Sequence, residues 1–272
     1  LVANVNGVHL YYERIGSGEP LVLVHGSWGD HSIWDAIVPP LSERFDVISY
    51  DRRGHSESER PESQGSVHED ADDLAALIEA LGVAPAHVVA NSYGGNITLW
   101  LAGGRPELLR TLTIHEPPGF ALLADDPQSA PLLERSGRSI AGVVAKLGAG
   151  EYEAGARQFV EEVAFGPGAW ENEIPPEFRE MFVRNAPTFL DECNDPDQLT
   201  VDVEAISSFD RPSLLSDGDQ SPPLFPRVIE RLESVLPNAE RRRISGAGHV
   251  PHLTHPALYA DMVAAFALAF HS

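Results

Sequence analysis

With 272 residues, 43% of them hydrophobic and 22% charged, the chain can bury one sizeable core, as a single α/β domain or as a domain carrying an inserted lid. A formal net charge of −22 disfavours nucleic acid, anionic membranes and polyanionic substrates, whose fields would repel it, and favours solubility. The single cysteine, Cys193, excludes an intrachain disulfide and fits a reducing compartment.

The opening "LVANVNGVHLYYERIGSG" lacks a basic stretch followed by an apolar run, so no secretory signal is expected here. It reads instead as a hairpin, with strand residues alternating on either side of the turn pair Asn6-Gly7. "LVLVH" (Leu21 to His25) is a continuous apolar run, as in a strand buried on both faces of a parallel sheet. "FDVISY", "HVVANS", "TLTIH" and "SLLS" follow the same pattern, and "RRRIS" is a weaker run expected near the sheet edge. Helical patterns lie between them. Val67, Ala71, Leu74, Ile78 and Leu81 step by fours and threes along one face, with Ser66 and Glu69 as a capping box in front and Gly82 as the stop. A final helix opens at Pro256 and places Leu258, Met262, Phe266 and Phe270 on one stripe.

Alternating strand and helix implies a mostly parallel, twisted sheet flanked by helices. The alternation stops after Ile114, and only helical patterns and turns occur from about Pro118 to Phe209. The expected organisation is an α/β core of residues 1–117 and 210–272 with a helical cap, 118–209, inserted over the carboxyl edge of the sheet, where open α/β sheets bind ligands. The apolar run from Met262 to Phe270 is too short to cross a bilayer, so a soluble, cytoplasmic monomer or homodimer with no membrane partner is expected.

Three stretches carry chemistry. In "HVVANSYGGN" the core Ala90-Asn91-Ser92-Tyr93-Gly94 fits G-x-S-x-G with alanine in first place, in a strand–turn–helix context that exposes the serine hydroxyl. "LVLVHGSWGD" ends a strand with His25-Gly26, a turn able to aim the N–H of Ser27, together with that of Tyr93, at an oxyanion. "RISGAGHVPHLTHP" sets His249 in a glycine loop after the last strand, within reach of Ser92 as general base. With these residues in this order, the sequence resembles the α/β-hydrolase fold superfamily over nearly its whole length. "DRRGHSES" is similar to that superfamily's D-x-R-G-x-G-x-S loop, with Ser56 in place of glycine, which implies structural roles for Asp51 and Arg52. The resemblance also implies that Ser92 acts as nucleophile, since similar epoxide hydrolases and haloalkane dehalogenases carry aspartate at that position.

The superfamily places its third triad member after either of two strands. At the commoner site, in "LLSDGDQSPP", the third residue after Gly218 is Ser221, and Asp217 and Asp219 stand at other offsets, where turn chemistry accounts for both. At the other site Glu116 directly follows a buried strand, where a subset similar to the zearalenone lactonases carries a glutamate. Glu116 is the expected acid, with Asp217 and Asp219 as alternatives.

The remaining residues point to structure. His249, His252 and His255 at spacings of three in a proline-containing loop do not converge readily on a metal, and no HExxH is present, so no metal is expected. The glycine-rich pieces fit neither phosphate nor dinucleotide patterns, so no cofactor is expected. His25 is expected to hold its turn, His55 to serve structure, and His115 to point away from Glu116 if the strand pleat continues. Trp28 and Trp170 are candidate pocket residues. An apolar pocket under a lid suits a hydrophobic, uncharged ester or lactone. A C–C hydrolase of ring-cleavage products is the alternative and needs a basic residue such as Arg157 or Arg184 to meet the substrate carboxylate; a ligand-binding protein with little turnover is another.

Overall fold

The computed structural model describes residues 1–172 and 174–270. Its sheet has eight strands in the order β1-β2-β4-β3-β5-β6-β7-β8. Strands β1 (Val2–Val5) and β2 (Val8–Gly16) form the expected hairpin, and Asn6 and Gly7 both take positive φ, 46° and 77°, as the twist-matched two-residue turn requires. Strand β2 runs antiparallel to β4 (Phe45–Tyr50), and β3 (Glu19–Val24), β5 (Ala86–Asn91), β6 (Leu109–His115), β7 (Ser213–Gly218) and β8 (Ala239–Ile244) continue in parallel. Strands β4, β5 and β7 are buried at every position, because helices cover both faces. Strand β8 keeps Arg242 and Arg243 exposed, as an edge should, while Arg241 is half-buried.

On the core, α1 (Val38–Ser42), α2 (Val67–Ala80) and α3 (Tyr93–Gly104) precede β6. Val67, Ala71, Leu74 and Ile78 of the expected α2 stripe are buried, each large aliphatic side chain contributing about 1.5–3 kcal/mol, and Leu81, just past the helix end, is partly buried against them. Its cap is half of the expected box. Ser66 Oγ accepts from the Glu69 N–H (3.2 Å), while the Glu69 carboxylate pairs with Arg53 Nη1 at 3.0 Å.

The chain between β6 and β7 is helical: α4 (Ala130–Gly148), α5 (Tyr152–Phe159), α6 (Ala169–Asn172), α7 (Pro176–Asn194) and α8 (Val203–Ile206). Val143, Leu147, Ala156, Val160, Trp170, Ile174 and Phe189 make a cluster of their own, joined by Trp28 from the loop after β3. The two ends of this segment pack differently. Leu122, Leu123, Ile206 and Phe209 belong to the cluster beneath the sheet.

After β7 come α9 (Leu224–Val235), α10 (Pro251–Thr254) and α11 (Pro256–Leu268). Here the sequence-based stripe requires correction. Leu258 and Phe270 are 53% and 41% exposed, and the buried face carries Tyr259, Ala260, Val263, Ala264, Phe266 and Ala267. A helix that is apolar nearly all round offers no periodicity from which to choose a face. Among the described residues no helix is long and apolar enough to cross a membrane.

The turn after β3 carries a pH-dependent tie. His31 Nδ1 and N both bond Asp51 Oδ1 at 2.7 Å. Burial opposes charging of His31, but the Asp51 hydrogen bond and the charges of Asp51, Asp30 and Glu13 prevail and raise its pKa to about 8. A raised folded-state pKa stabilises fully below the unfolded value and ceases to do so as pH rises through about 8. The melting temperature of His31→Asn should therefore fall short of wild type by most near pH 6, with the gap closing above pH 8. Calorimetry from pH 5.5 to 9.5 checks this, and a pH-independent gap would refute it.

Candidate active site

Three adjacent strands, β3, β5 and β6, deliver residues to one end of the sheet. Ser92 sits between β5 and α3 with φ 54° and ψ −128°, a conformation that non-glycine residues rarely adopt. The turn is possible because its neighbours are small. A Cβ on Gly94 would lie 2.4 Å from the Val24 carbonyl oxygen, and one on Gly26 would lie 2.8 Å from Ser92 Cβ. Ser92 donates its N–H to His115 O (2.9 Å) and its carbonyl accepts from Gly95 N–H (2.8 Å).

Glu116, the first residue after β6, is fully buried and also has positive φ, 49°. Its carboxylate bridges two elements. Oε2 accepts from His249 Nδ1 and Oε1 from the Gly218 N–H at the end of β7, both at 2.8 Å. Burial alone would raise this carboxyl, but the hydrogen bond from His249 and the nearby imidazoles of His115 and His249 outweigh it and hold it below the ordinary value. With Nδ1 donating to Glu116, the Nε2 of His249 carries the lone pair, which is the tautomer of a base.

The two alternative acids are committed elsewhere. Asp217 is buried with Oδ1 on Arg241 Nε (2.7 Å) and Oδ2 on Arg243 Nε (2.8 Å), a clamp across β7 and β8. Asp219 accepts from Gly246 N–H (2.8 Å) and Ser245 Oγ (3.1 Å), stitching the loop that leads to His249.

The histidines divide by partner. His25 Nδ1 bonds Gly26 O (2.8 Å), and its Nε2 accepts from the Arg52 N–H (3.0 Å); burial and the Arg52 charge press its pKa down to about 3, so it holds its turn as a neutral ring. His55 is likewise buried, between Arg53 O and Arg52 Nη2, and far below its ordinary pKa through burial. His252 is buried against Trp34, with ring centroids 4.5 Å apart, and His255 bonds Thr254 Oγ1, so His249, His252 and His255 each have separate neighbours. The expectation for His115 requires correction. The pleat does not continue, because Glu116 turns to positive φ, and His115 Nε2 lies 3.7 Å from Glu116 Oε1. His115 is neutral, its pKa lowered to about 4 by burial, and ties Ser216 Oγ to the Gly248 carbonyl.

The candidate oxyanion residues Ser27 and Tyr93 follow β3 and Ser92 respectively. The side chains of Trp28 and Trp170 are both buried in the aromatic cluster. Trp28 stacks on Phe189 at 4.4 Å and meets Phe159 at 5.2 Å, and Trp170 lies 6.5 Å from Phe182.

Two contacts of His249 escaped the sequence. Phe225 at the start of α9 stacks on its ring, with centroids 4.3 Å apart and planes 23° apart. Asn91 Nδ2 donates to its carbonyl at 2.9 Å, fastening the His249 loop to the residue before Ser92. Asn91 had a positional signal, since it adjoins the serine; Phe225 had none.

Set beside known proteins, residues 19–256 match the family model described as alpha/beta hydrolase fold, and the chain belongs to that family. RutD of Azorhizobium caulinodans, named for carbamate hydrolysis, is 40% identical over 105 residues, 39% of this chain and 40% of that protein. A soluble epoxide hydrolase of Corynebacterium sp. strain C12 is 35% identical over 115 residues, 41% of this chain and 39% of that protein. The matches thus span about two fifths of each of these curated relatives. The enol-lactonase structure from Burkholderia xenovorans LB400 superposes with a TM-score of 0.82 at 19% identity, covering 98% of this chain and 100% of that one, a likeness of fold.

The bond from His249 to Glu116 predicts a hydrogen-bonded Nδ1 proton far downfield in the NMR spectrum. It should vanish in Glu116→Gln and persist in Asp217→Asn and Asp219→Asn. Asp217→Asn should instead lower the melting temperature by loosening the clamp between β7 and β8. Loss of the resonance in Asp219→Asn alone would overturn the assignment.

Proposed function

We propose that the chain is a cytoplasmic serine hydrolase that cleaves a carboxylic ester or lactone of a largely hydrophobic, uncharged small molecule. The observation that carries this reading is the bond from His249 Nδ1 to the buried Glu116, in a site where the preceding strand presents Ser92 at positive φ.

In this reading Ser92 Oγ attacks the carbonyl carbon while His249 Nε2 takes its proton. Glu116 keeps the proton on Nδ1 and stabilises the imidazolium that results. The N–H groups of Ser27 and Tyr93 receive the oxyanion, each worth roughly 3 kcal/mol to the transition state. The imidazolium protonates the leaving alkoxide, the acyl group stays on Ser92, and a water deprotonated by His249 releases it. Stacking against Phe225 restricts the ring to the plane in which Nδ1 meets Glu116. Helices α4 to α7 form the cap, whose buried aromatic cluster against Trp28 sets an apolar body over the loop after β3, in keeping with an apolar substrate.

The alternative C–C hydrolysis has less support. Arg157 pairs with Glu161 and Glu171, both at 3.3 Å, and Arg184 is exposed, so neither is placed to meet a buried substrate carboxylate. Epoxide opening is disfavoured by serine in the nucleophile position.

Wild type should release nitrophenol from p-nitrophenyl butyrate, and Ser92→Ala should reduce release to background. Glu116→Gln should cost roughly 10⁴-fold in kcat, because the amide favours the wrong tautomer of His249. Release that persists in Ser92→Ala would overturn the acyl-enzyme route. A folded wild type that neither turns over esters nor reacts with a fluorophosphonate at Ser92 would favour a binding protein.

A further inference from the structure

The loop after β3 is held from above by a single face of α7. Phe182, Asn185, Phe189 and Glu192 recur at intervals of three and four and so share that face. They engage three consecutive residues. The rings of Phe182 and Phe189 lie 6.1 and 4.4 Å from that of Trp28. Asn185 Nδ2 donates to the carbonyls of Trp28 and Gly29, both at 3.0 Å. Glu192 Oε2 accepts from Ser27 Oγ at 2.5 Å. Trp28 has φ 67°, a backbone conformation that must be held in place by its surroundings.

The other oxygen of Glu192 accepts from Arg52 Nη2, also at 2.5 Å, inside the protein. Arg52 is itself anchored by Asp70 Oδ2 (3.0 Å), reaches the Gly26 carbonyl (3.3 Å), and places its guanidinium 5.0 Å from the centre of the Tyr93 ring. One buried ion pair therefore touches both residues whose N–H groups are assigned to the oxyanion, Ser27 through Glu192 and Tyr93 through Arg52.

We propose that Glu192 is a positioning residue that fixes the Ser27 N–H for transition-state binding, so that the oxyanion site is complete only while α7 is seated on the loop after β3. The inference rests on the ester-hydrolase reading of Ser92 and on Ser27 as an oxyanion donor. A carboxylate suits the task because it accepts from a cation and a hydroxyl at once, each through its own oxygen.

Ser27→Ala is the cleanest test, since it removes the hydroxyl and leaves both the backbone N–H and the Arg52–Glu192 pair in place. It should lower kcat for p-nitrophenyl butyrate roughly 10- to 100-fold, the scale of a misplaced catalytic group, with KM nearly unchanged. Affinity for a trifluoromethyl ketone, which binds as a tetrahedral adduct of Ser92, should fall by a similar factor, while inhibition by butyrate should not change. Ser27→Thr, which keeps the hydroxyl, should recover most of the activity. Glu192→Gln should lower kcat as well, and combining it with Ser27→Ala should add little to the larger single effect. A wild type that hydrolyses the ester and reacts with a fluorophosphonate at Ser92, with Ser27→Ala matching it in kcat and ketone affinity, would overturn this inference alone. A wild type that does neither would remove the hydrolase reading and this inference with it.

Discussion

The site depends on a constraint of the backbone, which is that the chain must reverse abruptly at the carboxyl ends of adjacent parallel strands. Trp28, Ser92 and Glu116 follow β3, β5 and β6, which are neighbours in the sheet, and all three take positive φ, between 49° and 67°. Each such residue costs on the order of 1–3 kcal/mol. Glycine would remove the strain and also the side chain that each position exists to present. The surrounding structure holds each one. Gly94 and Gly26 give Ser92 its room, Gly218 and His249 grip the Glu116 carboxylate, and α7 covers Trp28.

Charge is arranged with the same economy. The chain is strongly acidic overall, yet the buried carboxylates near the site each have a cation or a donor. Asp217 has two arginines, Glu192 has Arg52 and Ser27, Asp73 has Arg53, and Glu116 has His249 and a backbone N–H. A buried charge without a partner would cost several kcal/mol, so these pairings are a condition of folding as well as of chemistry. Histidine shows the complementary solution. His25, His55 and His115 are buried and neutral, which lets each accept one hydrogen bond and donate another within the turns around Ser92.

Much of the fold was legible because its signals are local. Apolar runs marked the parallel strands, the Asn6-Gly7 pair marked the hairpin, and the change from alternation to continuous helix after Ile114 marked the segment between β6 and β7. The strand–turn–helix context around Ser92 was readable for the same reason: steric demands on residues 90 to 94 act within one turn. The stripe of α11 was misread because almost every residue on that helix is apolar, so only the packing partner selects the buried face.

Which residue types stand at the ends of the strands was settled by the sequence, including a glutamate after β6 and a serine three residues after Gly218. The pairing of Glu116 with His249, 133 positions apart, was decided by the tertiary structure, as was the assignment of Asp217 to two arginines of β8. So were the stacking of Phe225 on His249 and the reach of Glu192 to Ser27 across 165 positions. Local sterics and periodicity are written along the chain, whereas a hydrogen bond between distant side chains exists only once the sheet order and the seating of the helices have brought them within 3 Å.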